Sequence, residues 1–572
     1  MPCRTSVLLL AGALLVPAAC TRVPDASSAA ASVPAIDRDL MDVTVERLEQ
    51  LYRDKRYTVT EVVRWHLDRI ERYNPVYGAI ETVLRDRALA RAATLDASKG
   101  ERGPLWGVPI VIKANTSVQG QVTTAGWAGF AMPGHELVAP RDATIVARLE
   151  AAGAIIVGLA NMPDLANSDT NRSTSFGRTG NAYDVRFSPG GSSGGVVTAV
   201  ATNMAVLGNG TDTGNSIRMP AATSALVGVF PTRGLVSIAG IAPLDWLLDN
   251  TGPIARTAAD AAIALGVMQG ADSLDPPTIS APADAQRGPF AIASGSLRGK
   301  RFGVPAFVLN GDGVPFHGIP VTVPDATAER LRTAANMPLR PETRLMFQQA
   351  VEALRAAGAE VVVSDSILPT SFARLASRVS TYAYMRDGTD RFLAAFGPAE
   401  YHSAAEYAAK VGSPLFTSSI GTEDNFRIQG PVRLTQRVLA TDPDAERTYH
   451  APRRAVLAEY VATLDRLKLD GLVYPAIQMP PPDETMPQDG RVSEGPHSAT
   501  SWVNMIGVPA VVVPAGFYPS GLPFGLEFSA RPWHDGDLLA IAAAWERAGT
   551  WRKPPVLVER GLLAVTPARS GR

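Results

Sequence analysis

"SPGGSSGG", Ser188 to Gly195, sets two adjacent serines in a cradle of glycines. Read literally, Gly190-Gly191-Ser192-Ser193-Gly194 fits G-x-S-x-G, the pattern of a nucleophilic serine raised on a sharp turn. The alternative is a structural or phosphate-binding glycine loop, although no G-K-[ST] follows, as a P-loop requires. The flanking sequence has to decide which serine, if any, attacks.

Immediately downstream, "VVTAVATNMAV" is small and apolar, which suits a helix packed inside a core. Next comes "GNGTDTGNSIRMPA", read as a glycine-punctuated turn carrying a third serine, Ser216, with Pro220 at the first position of a further helix. Backbone N–H groups of such a turn, close to a helix start, are placed to stabilise an oxyanion. Upstream, "GVPIVIKANTSVQG" reads as a buried strand that ends in Lys113. The chain has 54 basic side chains but only seven lysines, so arginine is its default cation. Burial disfavours an ammonium and lowers its pKa, which makes a lysine a usable base near neutrality; arginine cannot take that part. Taken alone, Lys113 reads equally as a strand-end lysine reaching back to water.

In combination the three pieces are far more specific. "GVPIVIK", "SPGGSSGG" and "GTDTGNSIRMPA", in that order and with 24 positions from Ser192 to Ser216, resemble the amidase signature family of serine hydrolases. "LANMPDLA", "GRTGNAYD", "VGVFPTRGLVS", "LDNTGPIARTAADAA" and "NMIGVPAVVVPAGFYPSGLPFGLEF" extend the resemblance over most of the chain. The resemblance implies an α/β fold with a large mixed sheet covered by helices on both faces. It also implies a Ser–cis-Ser–Lys triad: Ser216 as nucleophile, Ser192 after a cis peptide bond as the bridging serine, and Lys113 as terminal base. The backbone amides of Thr213, Gly214, Asn215 and Ser216 would form the oxyanion hole. Asp212 and Arg218 would hold the nucleophile turn, and Ser193 would hydrogen-bond within the triad. Neither a metal nor another cofactor is implied. The expected reaction is hydrolysis of a carboxylic amide through an acyl-enzyme.

Two positions depart from the family's common pattern. Ala114 follows the lysine where an acid is usual, and Asn215 precedes the nucleophile where glycine is usual. Asparagine tolerates left-handed backbone, so the turn can survive, but its side chain is expected to intrude on the leaving-group or acyl pocket. Trp127, Phe130 and Trp246 lie near the motifs and read either as an apolar acyl pocket or as core packing.

Over 572 residues the net charge is −1, which leaves no electrostatic footprint for nucleic acid or an anionic membrane and points to a small-molecule or peptide amide as partner. Residues 1–20 read as a bacterial export signal: Arg4, then an apolar run too short to span a bilayer, then Ala18-Ala19. Cys20 ends that run as in a lipoprotein signal, so the one expected membrane attachment is a lipid on Cys20; an ordinary cleaved signal is the alternative. The expected location is the periplasm or cell envelope, or outside the cell. Cys3 and Cys20 are the only cysteines, so the mature chain has no disulfide, and its seven histidines show no metal-ligand spacing.

A linker is expected over 21–38, followed by one domain over 39–572: a catalytic core at about 80–270, a variable substrate region at about 271–445 and a C-terminal portion at about 446–550. Thr58-Val59-Thr60-Glu61 predicts a capped helix ending at Asn74-Pro75. "DATIVARLEAAGAIIVGLANM", "LRGKRFGVPAF" and "LMFQQAVEALRAAGAEVVV" predict alternating helices and strands, while residues 275–341 read as long surface loops. Three rival functions stay open here. One is an α/β-hydrolase esterase with Ser192 attacking and His497 or His534 as base. Another is an amidotransferase A-type subunit that works in a complex. The third is a non-catalytic binding protein on the same fold.

Overall fold

The computed structural model describes residues 34–285, 290, 292–310, 323–334, 337–411, 425–427, 433–485 and 495–555. The signal segment, both cysteines and most of the expected linker lie outside the described residues. The chain divides into two units, Met1–Met41 and Asp42–Arg572. The described part of the first contains a helix, Ala35–Leu40, which starts inside the expected linker. Among the described residues no helix is long and apolar enough to cross a membrane.

In the second unit eleven strands form one mixed sheet. They are β1 (Ile80–Val83), β2 (Pro109–Lys113), β3 (Ile155–Ala160), β4 (Leu207–Asp212), β5 (Val227–Phe230), β6 (Asn250–Ala255), β7 (Arg301–Pro305), β8 (Glu360–Ser364), β9 (Gly471–Pro475), β10 (Ala510–Phe517) and β11 (Pro523–Ser529). Their spatial order is β1-β3-β2-β4-β6-β5-β10-β11-β9-β7-β8. β2 runs parallel to β3 and β4, while the run from β4 to β9 is antiparallel. The architecture is thus α/β around a large mixed sheet, and strands β2, β3, β4, β6, β9 and β11 are buried along their whole length. Such burial explains the apolar runs of β2 and β3, since a strand covered on both faces needs no polar alternation.

Three local readings change. The "GNGTD" half of the expected turn is the central strand β4. Its glycines are there for packing: a Cβ on Gly208 would lie 2.7 Å from the Val111 carbonyl oxygen, and one on Gly210 would lie 2.7 Å from Ile217. The following helix is Arg218–Thr223, so Pro220 is its third residue and not its first. The helix that opens at Val59 does carry the Thr58–Glu61 capping box, but it passes through Pro75 and ends at Tyr77. Asn74 makes the turn later, because its carbonyl accepts from Gly78 N–H and its side-chain oxygen accepts from Ala79 and Ile80 N–H. Finally, residues 275–341 contain β7, which lies within the sheet beside β9.

The helix Gly194–Ala201 lies against β2, β4 and the end of β3, and glycine permits the approach. A Cβ on Gly195 would collide with the Asn161 carbonyl oxygen and sit 2.5 Å from that of Ala79. Gly195→Ala is therefore expected to cost about 1–3 kcal/mol, the range for overpacking a filled site. Gly266, on another helix, is the control, because a Cβ added there would meet nothing within 4 Å. Gly266→Ala should gain about 0.5–1 kcal/mol. Urea denaturation of the two variants checks the contrast.

Candidate active site

β2 and β4 are parallel neighbours, so their C-terminal residues Lys113 and Asp212 emerge at one edge of the sheet, where open α/β sheets bind ligands. Ser192 and Ser193 come to the same edge at the start of the Gly194–Ala201 helix. The Gly191–Ser192 peptide bond is cis. No side chain fits at Gly191, where a Cβ would collide with the carbonyl oxygens of both Ser168 and Thr170.

Lys113 is fully buried. Its Nζ lies 2.7 Å from Ser192 Oγ, 3.0 Å from Ser193 Oγ and 2.8 Å from Thr211 Oγ1. Burial pulls its pKa down to about 7, and the nearby Asp212 and Asp249 offset only part of that fall. The neighbours also dictate which way the protons point. The Ser193 hydroxyl donates to the Thr211 carbonyl at 3.2 Å, so its oxygen is left to accept from Lys113. Thr211 Oγ1 already accepts from Asn115 Nδ2 at 3.1 Å and accepts from Lys113 as well. The Thr211 carbonyl is a further acceptor at 3.3 Å, and Lys113 Nζ donates to Ser192 Oγ as it does to the others. In the neutral form the Ser192 contact can reverse, with the hydroxyl donating to the amine lone pair.

Ser216 lies on the adjoining turn and is slightly exposed (5%), whereas Lys113 and Ser192 are at 0%. Ser193 N–H donates to the Ser216 carbonyl at 3.2 Å, which stitches the two serine loops together. Among the described residues, the backbone N–H groups of Thr213, Gly214, Asn215 and Ser216 donate no hydrogen bond within the protein. Gly214 and Asn215 are partly exposed, so solvent or a substrate can reach these N–H groups.

Behind the turn, Arg218 is buried and fully engaged. Nε and Nη2 meet the Asp212 carboxylate at 3.0 and 3.2 Å, Nη1 meets Glu527 and Thr500 Oγ1 at 2.8 Å each, and Nη2 reaches the Gly214 carbonyl at 2.8 Å and Asn504 Oδ1 at 2.6 Å. Burial alone would loosen the arginine's proton, but Asp212 and Glu527 outweigh it and hold the group charged. Burial would likewise raise Asp212; the Arg218 charge and hydrogen bonds keep it below the usual carboxylate value. Asp212 also accepts from the backbone N–H of Ile217 and Arg218.

This site sits on a chain whose relatives are recognisable. A family model described as Amidase matches residues 61–315 and 330–539. The chain belongs to the amidase family. It is a hydrolase of the amidase class. At 32% identity it resembles the A subunit of a glutamyl-tRNA(Gln) amidotransferase from Symbiobacterium thermophilum, covering 91% of this chain and 99% of that protein. The corresponding protein from Acidothermus cellulolyticus is 31% identical, covering 91% of this chain and 97% of the other. Among solved structures, the native peptide amidase from Stenotrophomonas maltophilia superposes with a TM-score of 0.70 at 29% identity, covering 90% of this chain and 98% of that one.

Several residues of this amidase behave differently from expectation. Asn215 has no left-handed backbone angle. Its side-chain amide bridges Asp169 Oδ1 and Ser498 Oγ at 3.1 Å each, so it ties three segments together. Ala114 packs with Met162, Ala166 and Leu244 in a small apolar cluster. Trp127 and Phe130 stack with Tyr407 in an aromatic cluster that also holds Tyr401, Phe392 and Phe396. Trp246 packs on Gly388, donates to the Tyr384 carbonyl at 3.0 Å and lies under Arg391. Thus Phe130 is core, while Trp127 and Trp246 are half-buried where the core meets helix Met385–Phe396. His534 is exposed and bonds to Asp537, and Ser192 is within hydrogen-bonding distance of a lysine and, among the described residues, not of a histidine.

The residues missed in the sequence are the polar ones that serve others: Asn115, Thr211, Asp249, Thr500, Asn504 and Glu527. Asn504 and Glu527 lie inside or beside the C-terminal motif, and their signal was a polar residue in an otherwise apolar run. Removing the central cation tests their arrangement. Arg218→Met leaves Asp212 and Glu527 buried without a counter-ion and should destabilise the fold by about 3–5 kcal/mol, read by thermal and urea denaturation.

Proposed function

We propose that this amidase hydrolyses a carboxylic amide of a small molecule or peptide to the acid plus ammonia or an amine, through Ser216, Ser192 and Lys113. The observation that carries the reading is the buried lysine, its pKa brought down to about 7, with Nζ 2.7 Å from Ser192 Oγ. Ser192 passes its proton to Lys113 and takes the proton of Ser216, which attacks the amide carbonyl. The resulting oxyanion is received by the free N–H groups of residues 213–216. The same relay then runs in reverse: Lys113 returns the proton through Ser192 to the departing nitrogen, and the acyl-enzyme forms. Water, deprotonated along the same path, releases the acid.

The signal-like residues 1–20 support export of the enzyme, with Cys20 as the lipid acceptor. A second reading, an A-type amidotransferase subunit that supplies ammonia to a partner, draws on the similarity to the amidotransferase proteins named above. The two differ in what the lone chain does: a free-standing amidase turns over simple amides unaided. A panel of peptide C-terminal amides, fatty amides, aryl amides and urethanes, assayed with the purified chain, separates them and names the substrate class. Failure on every member would favour the second reading.

Ser216→Ala is expected to remove at least about 10³-fold of kcat, and Lys113→Ala at least about 10²-fold. A serine-directed phosphonate should label Ser216; labelling of Ser192 instead would overturn the roles. Because the base must be neutral, kcat/KM should rise with pH and level off above about 7, falling tenfold per unit below it. For export, the N-terminal residue and attached mass of the protein recovered from cell fractions give the answer: an unprocessed chain in the cytosol would refute it.

A further inference from the structure

The "LDN" segment before β6 contains a buried carboxylate that the reaction scheme above does not use. In the antiparallel pairing of β4 with β6, Asp212 lies opposite Asn250, so the residues just beyond, Thr213 and Asp249, meet. Thr213 Oγ1 donates to Asp249 Oδ1 at 2.5 Å. The same carboxylate accepts from Leu244 N–H at 3.0 Å and Asp245 N–H at 3.3 Å. Burial raises its pKa, and these three hydrogen bonds, with the more distant Arg233, offset only part of that rise. They hold the group in place, yet among the described residues no cation lies within ion-pair distance of it. Arg233, which acts on it from farther off, is engaged bidentately with Asp275 at 3.1 and 3.2 Å.

A buried anion without an adjacent counter-ion is costly, and stability alone gives no reason to keep it. The charges around the lysine supply one. Two anions act on Lys113, Asp212 and Asp249, and Asp212 is already committed to Arg218. When Lys113 takes up the proton of the nucleophile, Asp249 is the anion left to balance it. We propose that Asp249 is a positioning residue: its carboxylate fixes Thr213, the first residue of the oxyanion turn, and supplies the negative charge that balances protonated Lys113. The proposal rests on the amidase reading of the site.

The other groups facing this pair are consistent with one net negative charge there. Asp245, pushed up to about 7 by burial and by Asp249, takes the neutral form as pH falls, while Asp212 remains ionised against Arg218. Asp249 therefore acts on both halves of the reaction, on the donors that receive the oxyanion and on the base that receives the proton.

The test uses the purified full chain and an amide that the wild type hydrolyses. Asp249→Asn should lower kcat about 10–100-fold with KM nearly constant, and should move the acid limb of kcat/KM to lower pH, because Lys113 loses an anion that favours its cationic form. Thr213→Val should lower kcat without moving that limb, and Thr213→Ser should restore it. An Asp249→Asn enzyme with kcat within about twofold of wild type and an unmoved limb overturns the proposal. If that variant does not fold, the threonine pair decides, since an unchanged kcat in Thr213→Val is equally fatal. Failure of the underlying amidase reading looks different, because activity would then survive Ser216→Ala.

Discussion

Arg218 is the residue on which the remainder of the site is assembled. Its planar fork can serve several acceptors at once, and here it joins Asp212 at the end of β4, the Gly214 carbonyl in the nucleophile turn, Asn504 on helix Trp502–Ile506 and Glu527 on β11. Those pieces come from chain positions about 300 residues apart, 212 to 527. A guanidinium inside the protein is tolerable because its donors are matched almost completely, and the matched set fixes where the turn can be. The backbone N–H groups of Thr213 to Ser216 in that turn donate no hydrogen bond among the described residues.

The second organising principle is the separation of permanent from transient charge. Arg218 with Asp212 is permanent, each holding the other ionised, while Glu527 beside them is pushed up to about 7 by burial. Lys113 is switchable, because burial brings its pKa down to about 7 and makes both its neutral and its charged form accessible near neutrality. Thr211 lies between the two sets, one residue before Asp212, accepting from the lysine. A fixed ion pair on one side of a strand end and a switchable base on the other allow proton transfer without disturbing the scaffold.

Sequence reading recovered these groups unevenly, for physical reasons. Lys113, Ser192 and Ser216 stand out because their chemistry is unusual for their surroundings: a lysine at the end of a buried strand in an arginine-rich chain, and serines among glycines. Helix-glycine-strand units such as Thr144–Ala151, Gly153 and β3 were legible from periodicity and one punctuating glycine. β4 was not, because Gly208 and Gly210, which look like turn residues, are required by close packing against Val111 and Val196 and against Ile217 and Ile254. Asn115 and Thr211 carry no local signal either; each is an ordinary polar residue whose meaning comes from a partner far along the chain. Asn215 looked like an intrusion into the pocket, and only the positions of Asp169 and Ser498 show it as a brace.

The enclosure of Lys113 has a consequence for how the reaction keeps its protons in order. Its amine has no exposed surface and hydrogen-bonds, among the described residues, to Ser192, Ser193 and Thr211. In the proposed relay, a proton taken from Ser216 would be held away from bulk water until the departing nitrogen receives it. Each half of the cycle would then return the enzyme to the ionisation state in which it began.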